Sequence, residues 1–401
     1  MEDVTVVVSR NDYTSIVKDG DVIAPLKVGN IIYVFSVHCS VIPINTPFEE
    51  LHLIELVNAQ HYLVDLLTSI GTRHRIRDIV FTGEEDLLPV AYARQALGLP
   101  GVHPEQAHLF RNKLLMKQRL APTSITIPAY APASERQRLF AMLNQFGKLI
   151  IKPQDGYSSK AITVVSSPQE LEHYLSDNRE YLDQYLAEEF ITNDMFHLDA
   201  VVANGDILFS TLGKYDQPLF EYRDHQWIIS RLTNRSSPLH EQAKRALRQI
   251  LKHFDTHSGV FHFEFFSDGE SVVFCEIAMR PAGGAISEAI YEIWGVHLHE
   301  INVQLQLGKP FVLPELEDKH AAIMLLTSQQ YGSIRALLEQ EFLIQNGHPV
   351  LKSKQVGDKV SPCRFSSDSI LNIVAIKADD AQLDHAIEEI KSKQYYHITA
   401  Q

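Results

Sequence analysis

Residues Phe261 to Arg280 constrain this chain more than any other stretch. Two aromatic-rich runs, Phe261-His262-Phe263-Glu264-Phe265-Phe266 and Val272-Val273-Phe274-Cys275-Glu276-Ile277-Ala278-Met279-Arg280, lie on either side of Ser267-Asp268-Gly269. Apolar runs around an Asp-Gly turn read as a β-hairpin. The turn length decides which residues share a face. A two-residue Asp-Gly loop pairs Ser267 with Glu270 and sends Glu264 and Glu276 to opposite faces. A three-residue loop, with Gly269 at φ > 0, pairs Phe266 with Glu270 instead. Then His262, Glu264, Phe274 and Glu276 lie on one face. Two carboxylates converging on a cleft are hard oxygen ligands suited to Mg²⁺. In that register they stand four residues apart, or roughly 13 Å along the strand. Twist, long side chains or two neighbouring ions have to bring them together. Arg280, at the strand end, is placed to steady phosphate or carboxylate oxygens. Taken alone, the hairpin also fits an ordinary fold element with two solvated glutamates.

A chain of 401 residues, 45% hydrophobic, has ample core for two or three globular domains. Lys and Arg total 36 against 50 Asp and Glu, a net charge of −14. That balance argues against nucleic acid or an anionic membrane as the main partner. Cys39, Cys275 and Cys363 form no CxxC pair and no disulfide framework, which points to the reducing cytoplasm. The N-terminus lacks the basic start of a signal peptide. Val28 to Phe48 carry no charge, but Gly29, Asn30, Pro43, Asn45 and Pro47 break them into strands and turns.

In chain order, Val4 to Val8 and Ile31 to Phe35 read as buried strands, and Leu51 to Leu67 as a helix. Asp78 to Phe81 is a further strand, ending in Thr82-Gly83-Glu84-Glu85, and Leu88 to Leu97 is a helix closed by Gly98. This alternation suggests an open, mostly parallel sheet through about residue 105. The next helix carries Lys113 and Lys117 four apart on one face, for which a solvated basic surface is the ordinary reading. Leu149-Ile150-Ile151 is a strand delivering Lys152. The polar turn 153–160 after it can lay N–H groups over phosphates. Tyr185 to Ile191 connects to a second sheet, Asn204-Gly205 turns a hairpin, and Ser237-Pro238 opens an amphipathic helix.

In this order and spacing the motifs resemble the ATP-grasp superfamily from about residue 1 to 310. Lys113 and Lys152 stand where the family's two nucleotide lysines stand. Residues 154–160, with Ser158 and Ser159, correspond to its phosphate-covering loop. Glu188, Glu189, Phe190 and Ile191 are similar to its adenine-binding hinge. Glu264 and Glu276 match its two Mg²⁺ ligands, and Arg280 its arginine for the acyl phosphate and tetrahedral intermediate. The departures are Ala278 where the family often has Asn, a loop without a Gly-Ser-Gly run, and no ribose-binding Glu near Met195. His197 or Asp199 is the expected substitute at the ribose. Cys275 is expected on the face opposite Glu276, in the core.

The resemblance implies an α/β protein, α+β in the ATP-binding part. Its parts are an open parallel pre-ATP-grasp domain (1–105), a small lid lobe (106–189), a large metal-binding lobe (190–310) and a C-terminal α+β subdomain (311–401). It implies a cytoplasmic ligase using ATP and Mg²⁺, with Mn²⁺ as a substitute. A small-molecule carboxylate would become an acyl phosphate and then an amide, with ADP and phosphate released. An amino acid or natural-product carboxylate is the expected substrate. Homodimers are common in the family. The alternatives are a biotin-carboxylase-like or carrier-protein acylating enzyme, and a regulatory ATP binder with a decayed site. Arg231, Arg235 and Glu288 are weaker substrate candidates, more at home on the surface. His38, His262 and His297 have no evident partner.

Overall fold

Strands covered on both faces need apolar residues at every position, and the first strand has them. β1 (Asp3–Ser9) is buried from Val4 onward. It sits in an all-parallel sheet with β2 (Ile31–Ser36), β3 (Glu50–Ile54) and β4 (Arg75–Phe81), in the order β3-β2-β1-β4. Val6 and Val8 face one hydrophobic cluster and Val7 another. Helices α1 (Ala59–Gly71) and α2 (Leu87–Leu97) pack against each other beside it. The structure is a computed structural model. It describes all residues but 10–15, 19, 28, 37–44, 46–47, 55–58, 157–160, 219–224, 364–367 and 400–401. No helix among the described residues is long and apolar enough to cross a membrane.

The helix expected from Leu51 starts at Ala59 instead. Residues 50–54 pair in parallel with β2, so sheet pairing overrides the helical spacing of the leucines. Glu50 anchors this edge strand. Its carboxylate accepts from Arg73 at 2.8 Å, His52 at 2.7 Å and His74 at 3.0 Å.

After the short helix α3 (Lys113–Leu120), a small antiparallel sheet forms from β5 (Tyr130–Pro132), β6 (Leu149–Pro153), β7 (Thr163–Val165) and β8 (Tyr185–Glu189). Its order is β5-β8-β6-β7. Helices α4 (Arg136–Phe146) and α5 (Pro168–Asp177) share its core, and Gly147 closes α4 in the left-handed region.

The large sheet is antiparallel throughout. It runs from β9 (Asp194–Ala203), β10 (Asp206–Tyr215) and β11 (Trp227–Thr233) through β12 (Gly259–Ser267) and β13 (Val273–Ala278) to β14 (His320–Leu326), β15 (Val350–Ser353) and β16 (Leu371–Lys377). Its order is β13-β12-β9-β10-β11-β14-β16-β15. Asn204 and Gly205, at φ 53° and 87°, make the expected two-residue hairpin turn. Residues 311–401, read from sequence as a region of their own, thus extend the same sheet by three strands. Helix α6 (Pro238–His253), capped by Ser237, buries Ala243, Leu247 and Ile250 against one face. The core under that face continues into the parallel sheet, with Phe110 against Phe254 at 5.4 Å and Phe261 at 5.6 Å. This continuity fixes β12 against the N-terminal unit.

Hydrogen bonds from Arg73, working against burial, hold the Glu50 carboxyl at about 2, below its unfolded value of 4.5. A depressed acid stabilises the fold above the unfolded pKa and loses that contribution as pH falls through the folded one. We therefore expect Glu50→Gln to lower Tm at pH 6 and to match wild type near pH 2. An equal Tm loss at both pH values would contradict this anchor.

Candidate active site

Glu264 and Glu276 stand directly opposite each other on β12 and β13. The four-residue offset expected from the sequence does not occur, for two reasons. The connection, residues 268–272, is longer than a three-residue turn and closes on Asp268, whose Oδ1 accepts from the backbone of Glu270 and Ser271 at 3.0 Å. The ladder then pairs Phe266 with Val273, Phe265 with Phe274 and Glu264 with Glu276, so Cys275 is an extra residue, a β-bulge. Phe263, Phe265, Phe274 and Ile277 all lie in the core cluster. Regular alternation would have carried Glu276 to the side of Phe274. The bulge resets the phase and turns Glu276 outward beside Glu264. Phe274 accordingly lies in the core and not beside the carboxylates, a correction to the one-face grouping above.

Both carboxylates open on a cavity of about 460 Å³ between the two antiparallel sheets. Lys113, Lys152, Glu188 and the hinge Glu189-Phe190-Ile191 line it too, so the structure brings most of the expected site together. Ser158 and Ser159 lie outside the described residues. Lys113 is the first residue of α3, where the helix dipole disfavours a cation. It is compensated by Glu276 Oε2 at 3.0 Å and donates to the Gly156 carbonyl at 2.8 Å. Lys152 pairs with Glu188 Oε2 at 3.1 Å. Burial opposes ionisation of Glu276, but Lys113 and Lys152 outweigh it and hold the carboxyl near 2.

Lys117 is not on a solvated face. It is fully buried, 3.1 Å from Glu188 Oε1, and donates to the Cys275 carbonyl at 3.0 Å. Glu188 is thus gripped by two lysines. Burial works against its charge, yet Lys117 and Lys152 hold it below the usual carboxylate range. Cys275 is another correction: the bulge places its side chain on the cavity and not in the core behind it. Burial pushes its thiol up to about 12.

His197 does not reach the cavity. It is fully buried, with Nδ1 2.7 Å from Asp199 and Nε2 2.7 Å from Ser230. Asp199 is buried with it, so neither is placed as a ribose contact. Asp194, at the start of β9, lines the cavity instead and pairs with Lys214 at 2.6 Å. Arg280 lies just past the end of β13. Its Nε donates to Glu84 Oε2 at 2.7 Å and its Nη1 to the Pro281 carbonyl at 2.9 Å, and its remaining donors have no partner among the described residues. Glu84 also accepts from Arg111, so one carboxylate ties the N-terminal unit to both arginines. The sequence signal for Glu84 was its place just after the C-terminal end of a parallel strand, where open α/β sheets gather ligands. Arg231 is committed to Asp216 and Asp384, at 2.7 and 2.5 Å, while Arg235 and Glu288 are exposed. His297 caps the helix at Leu298–Gln306, and His262 bonds Asp199 at 2.8 Å. His38 lies outside the described residues.

The family model of the ATP-grasp domain matches residues 118–285. The chain contains an ATP-grasp domain. The match spans Lys152, Glu188, Glu264, Glu276 and Arg280, and Lys113 falls just before it. The L-arginine-specific L-amino acid ligase of Bacillus subtilis is 24% identical over 348 residues, 80% of each chain. The L-amino acid ligase structure from Bacillus licheniformis aligns over 100% of this chain and 99% of its own, with a TM-score of 0.73 and 17% identity. N5-carboxyaminoimidazole ribonucleotide synthetase from Thermotoga maritima aligns over 100% of both chains, with a TM-score of 0.65 and 14% identity. The fold is that of these ligase and synthetase structures: a parallel N-terminal sheet followed by antiparallel ones, of which the small four-stranded and the large eight-stranded sheet enclose the cavity. Two adjacent carboxylates are a hard oxygen donor set that suits a cation such as Mg²⁺.

The place of Cys275 is testable with ATP kinetics. Cys275→Ser should change the KM for ATP little. Cys275→Trp should raise it by about tenfold or more, the equivalent of about 1.4 kcal/mol, if this cavity takes the nucleotide, because the indole would fill it. A Trp variant that loses its fold while ATP binding in the residual folded fraction is normal would put the side chain in the core.

Proposed function

We propose that the chain is an ATP-dependent carboxylate–amine ligase that activates an amino acid or similar small carboxylate as an acyl phosphate. The observation that carries this reading is the pair Glu264–Glu276, set side by side and faced by Lys113 and Lys152 across one cavity. A free carboxylate is a poor acyl donor, and phosphorylation gives it a leaving group. Catalysis of that transfer is mostly positioning and charge stabilisation, and this site is built of cations and carboxylates. Similarity to the L-arginine-specific L-amino acid ligase supports an amino acid as substrate. The same reading divides the chain into the four parts given above, with 190–310 and 311–401 sharing a sheet. It places the protein in a reducing compartment, where the Cys275 thiol persists.

In this reading the hinge Glu189–Ile191 holds the adenine, and Lys113 and Lys152 lie along the phosphates. Glu264 and Glu276 would hold Mg²⁺, which when bound neutralises charge on the phosphate oxygens. A substrate carboxylate oxygen attacks the γ-phosphorus as the bond to the ADP oxygen breaks. The amine nitrogen then attacks the acyl carbon, phosphate leaves, and the nitrogen gives up a proton. Arg280, fixed at Nε by Glu84, keeps donors for the oxyanion of the tetrahedral intermediate.

The test is nucleotide release from Mg-ATP with pooled amino acids, with and without hydroxylamine. Carboxylate-dependent ADP, and a hydroxamate identified by mass spectrometry, are expected. Glu276→Ala should lower the rate by about 100-fold or more with the fold intact. AMP with pyrophosphate, or undiminished turnover in Glu276→Ala, would overturn the reading.

A further inference from the structure

A chain of buried hydrogen bonds runs sideways through the large sheet, from Ser230 on β11 to Glu264 on β12. Ser230 Oγ lies 2.7 Å from His197 Nε2, and His197 Nδ1 lies 2.7 Å from Asp199 Oδ2. Asp199 Oδ1 lies 2.8 Å from His262 Nδ1, and His262 Nε2 lies 3.3 Å from Glu264 Oε1. Every member is at most 8% exposed. To reach Ser230 the His197 ring must cross β10, and the residue opposite it there is Gly213. A Cβ at Gly213 would sit 2.0 Å from Nε2 and 2.2 Å from Cε1 of that ring.

Such a chain is not what stability alone would select. The backbone ladder is already complete, glycine weakens a strand interior, and apolar side chains of similar volume would serve the core as well or better. What the chain does achieve lies at its end. Glu264 Oε1 receives His262 and also the Tyr215 hydroxyl at 3.0 Å. Two donors on one oxygen fix the carboxylate and leave Oε2 for the cavity. Asp199 gives one oxygen to each imidazole, which sets the ring of His262 with Nε2 toward Glu264. We propose that Ser230, His197, Asp199 and His262 are positioning residues that hold Glu264 for the metal ion of the nucleotide complex. This rests on the reading of Glu264 as a metal ligand.

The three central side chains also come close enough to be considered a metal site themselves. Their geometry favours hydrogen bonding. The two Nδ1 atoms are aimed at separate oxygens of Asp199, and the other nitrogen of His197 is engaged by Ser230. Ligands of a transition metal would instead converge on one point at about 2.0–2.2 Å.

The test uses the full chain with ADP and follows Mn²⁺ binding by electron paramagnetic resonance, beside the Mg²⁺ dependence of ATP turnover. Gly213→Ala is the informative variant: it removes no polar group and only displaces the His197 ring. Gly213→Ala, Asp199→Asn and His262→Gln should each weaken Mn²⁺ binding by about 10–100-fold. Turnover should recover at high Mg²⁺, with the KM for ATP at saturating metal near wild type. Ser230→Ala should shift binding in the same direction but less, and it carries the test if Gly213→Ala does not fold. Variants that lose only thermal stability, with unshifted metal titrations, would make the chain a structural feature and overturn the proposal. Glu264→Gln separates the two readings. If it leaves metal binding unchanged, the ligand assignment fails and the proposal with it. If it abolishes binding while the others do not shift it, only the proposal fails. A transition metal retained in stoichiometric amount and lost on His197→Ala would also overturn it.

Discussion

The chemistry of this protein depends on one unpaired residue in a β-ladder. Side chains alternate strictly along a strand, and β13 must bury Phe274 and Ile277 in the aromatic core. Those two are three apart, an odd spacing that regular alternation forbids on one face. The bulge at Cys275 resolves the conflict. It lets both apolar residues face inward and leaves Glu276 beside Glu264 on the cavity side. The core therefore enforces the carboxylate pair. A carboxylate turned inward would meet an apolar environment that strongly opposes its charge, so the register that builds the core is also the one that builds the site.

Around that pair the charges are arranged before any nucleotide arrives. Glu188 holds Lys117 and Lys152, and Glu276 holds Lys113. Cations buried without partners would be driven toward their neutral forms. Burial pulls Lys117 below its ordinary value even beside Glu188, whereas the acidic neighbours of Lys152, Glu188 and Glu276 among them, outweigh burial and hold it protonated. In the proposed reading a triphosphate would meet lysines already held in place and would not have to reorganise solvent to find them. Glu84 plays the same part for Arg280 and Arg111 at the edge of the parallel sheet, so orientation of the arginine depends on docking of the N-terminal unit.

Much of this was legible in the sequence. The alternation of strands and helices marked the parallel sheet, Asn204-Gly205 marked its hairpin, and Lys113, Lys152, Glu188, Glu264 and Glu276 stood out by order and spacing. What the sequence hid was long-range. Residues 50–54 follow helical spacing locally, and only pairing with β2 makes them a strand. The position of a bulge depends on the partner strand, so neither the true register of the hairpin nor the exposure of Cys275 to the cavity could be read from alternation. Lys117 looked like surface because its counter-charge, Glu188, is distant in sequence. His197 looked like a ribose contact because the strand carrying it follows the hinge. The tertiary structure turns it toward Asp199 and Ser230.

The central claim is that Glu264 and Glu276, brought into register by the bulge, act on one metal-bearing nucleotide complex. A double-mutant cycle on Mg²⁺-dependent ADP binding tests it most directly, with Glu264→Gln, Glu276→Gln and the double variant. Carboxylates sharing an ion should be strongly non-additive, the second substitution costing far less than the first. Fully additive effects would mean that the two residues act on separate ligands, and the shared site described here would be wrong.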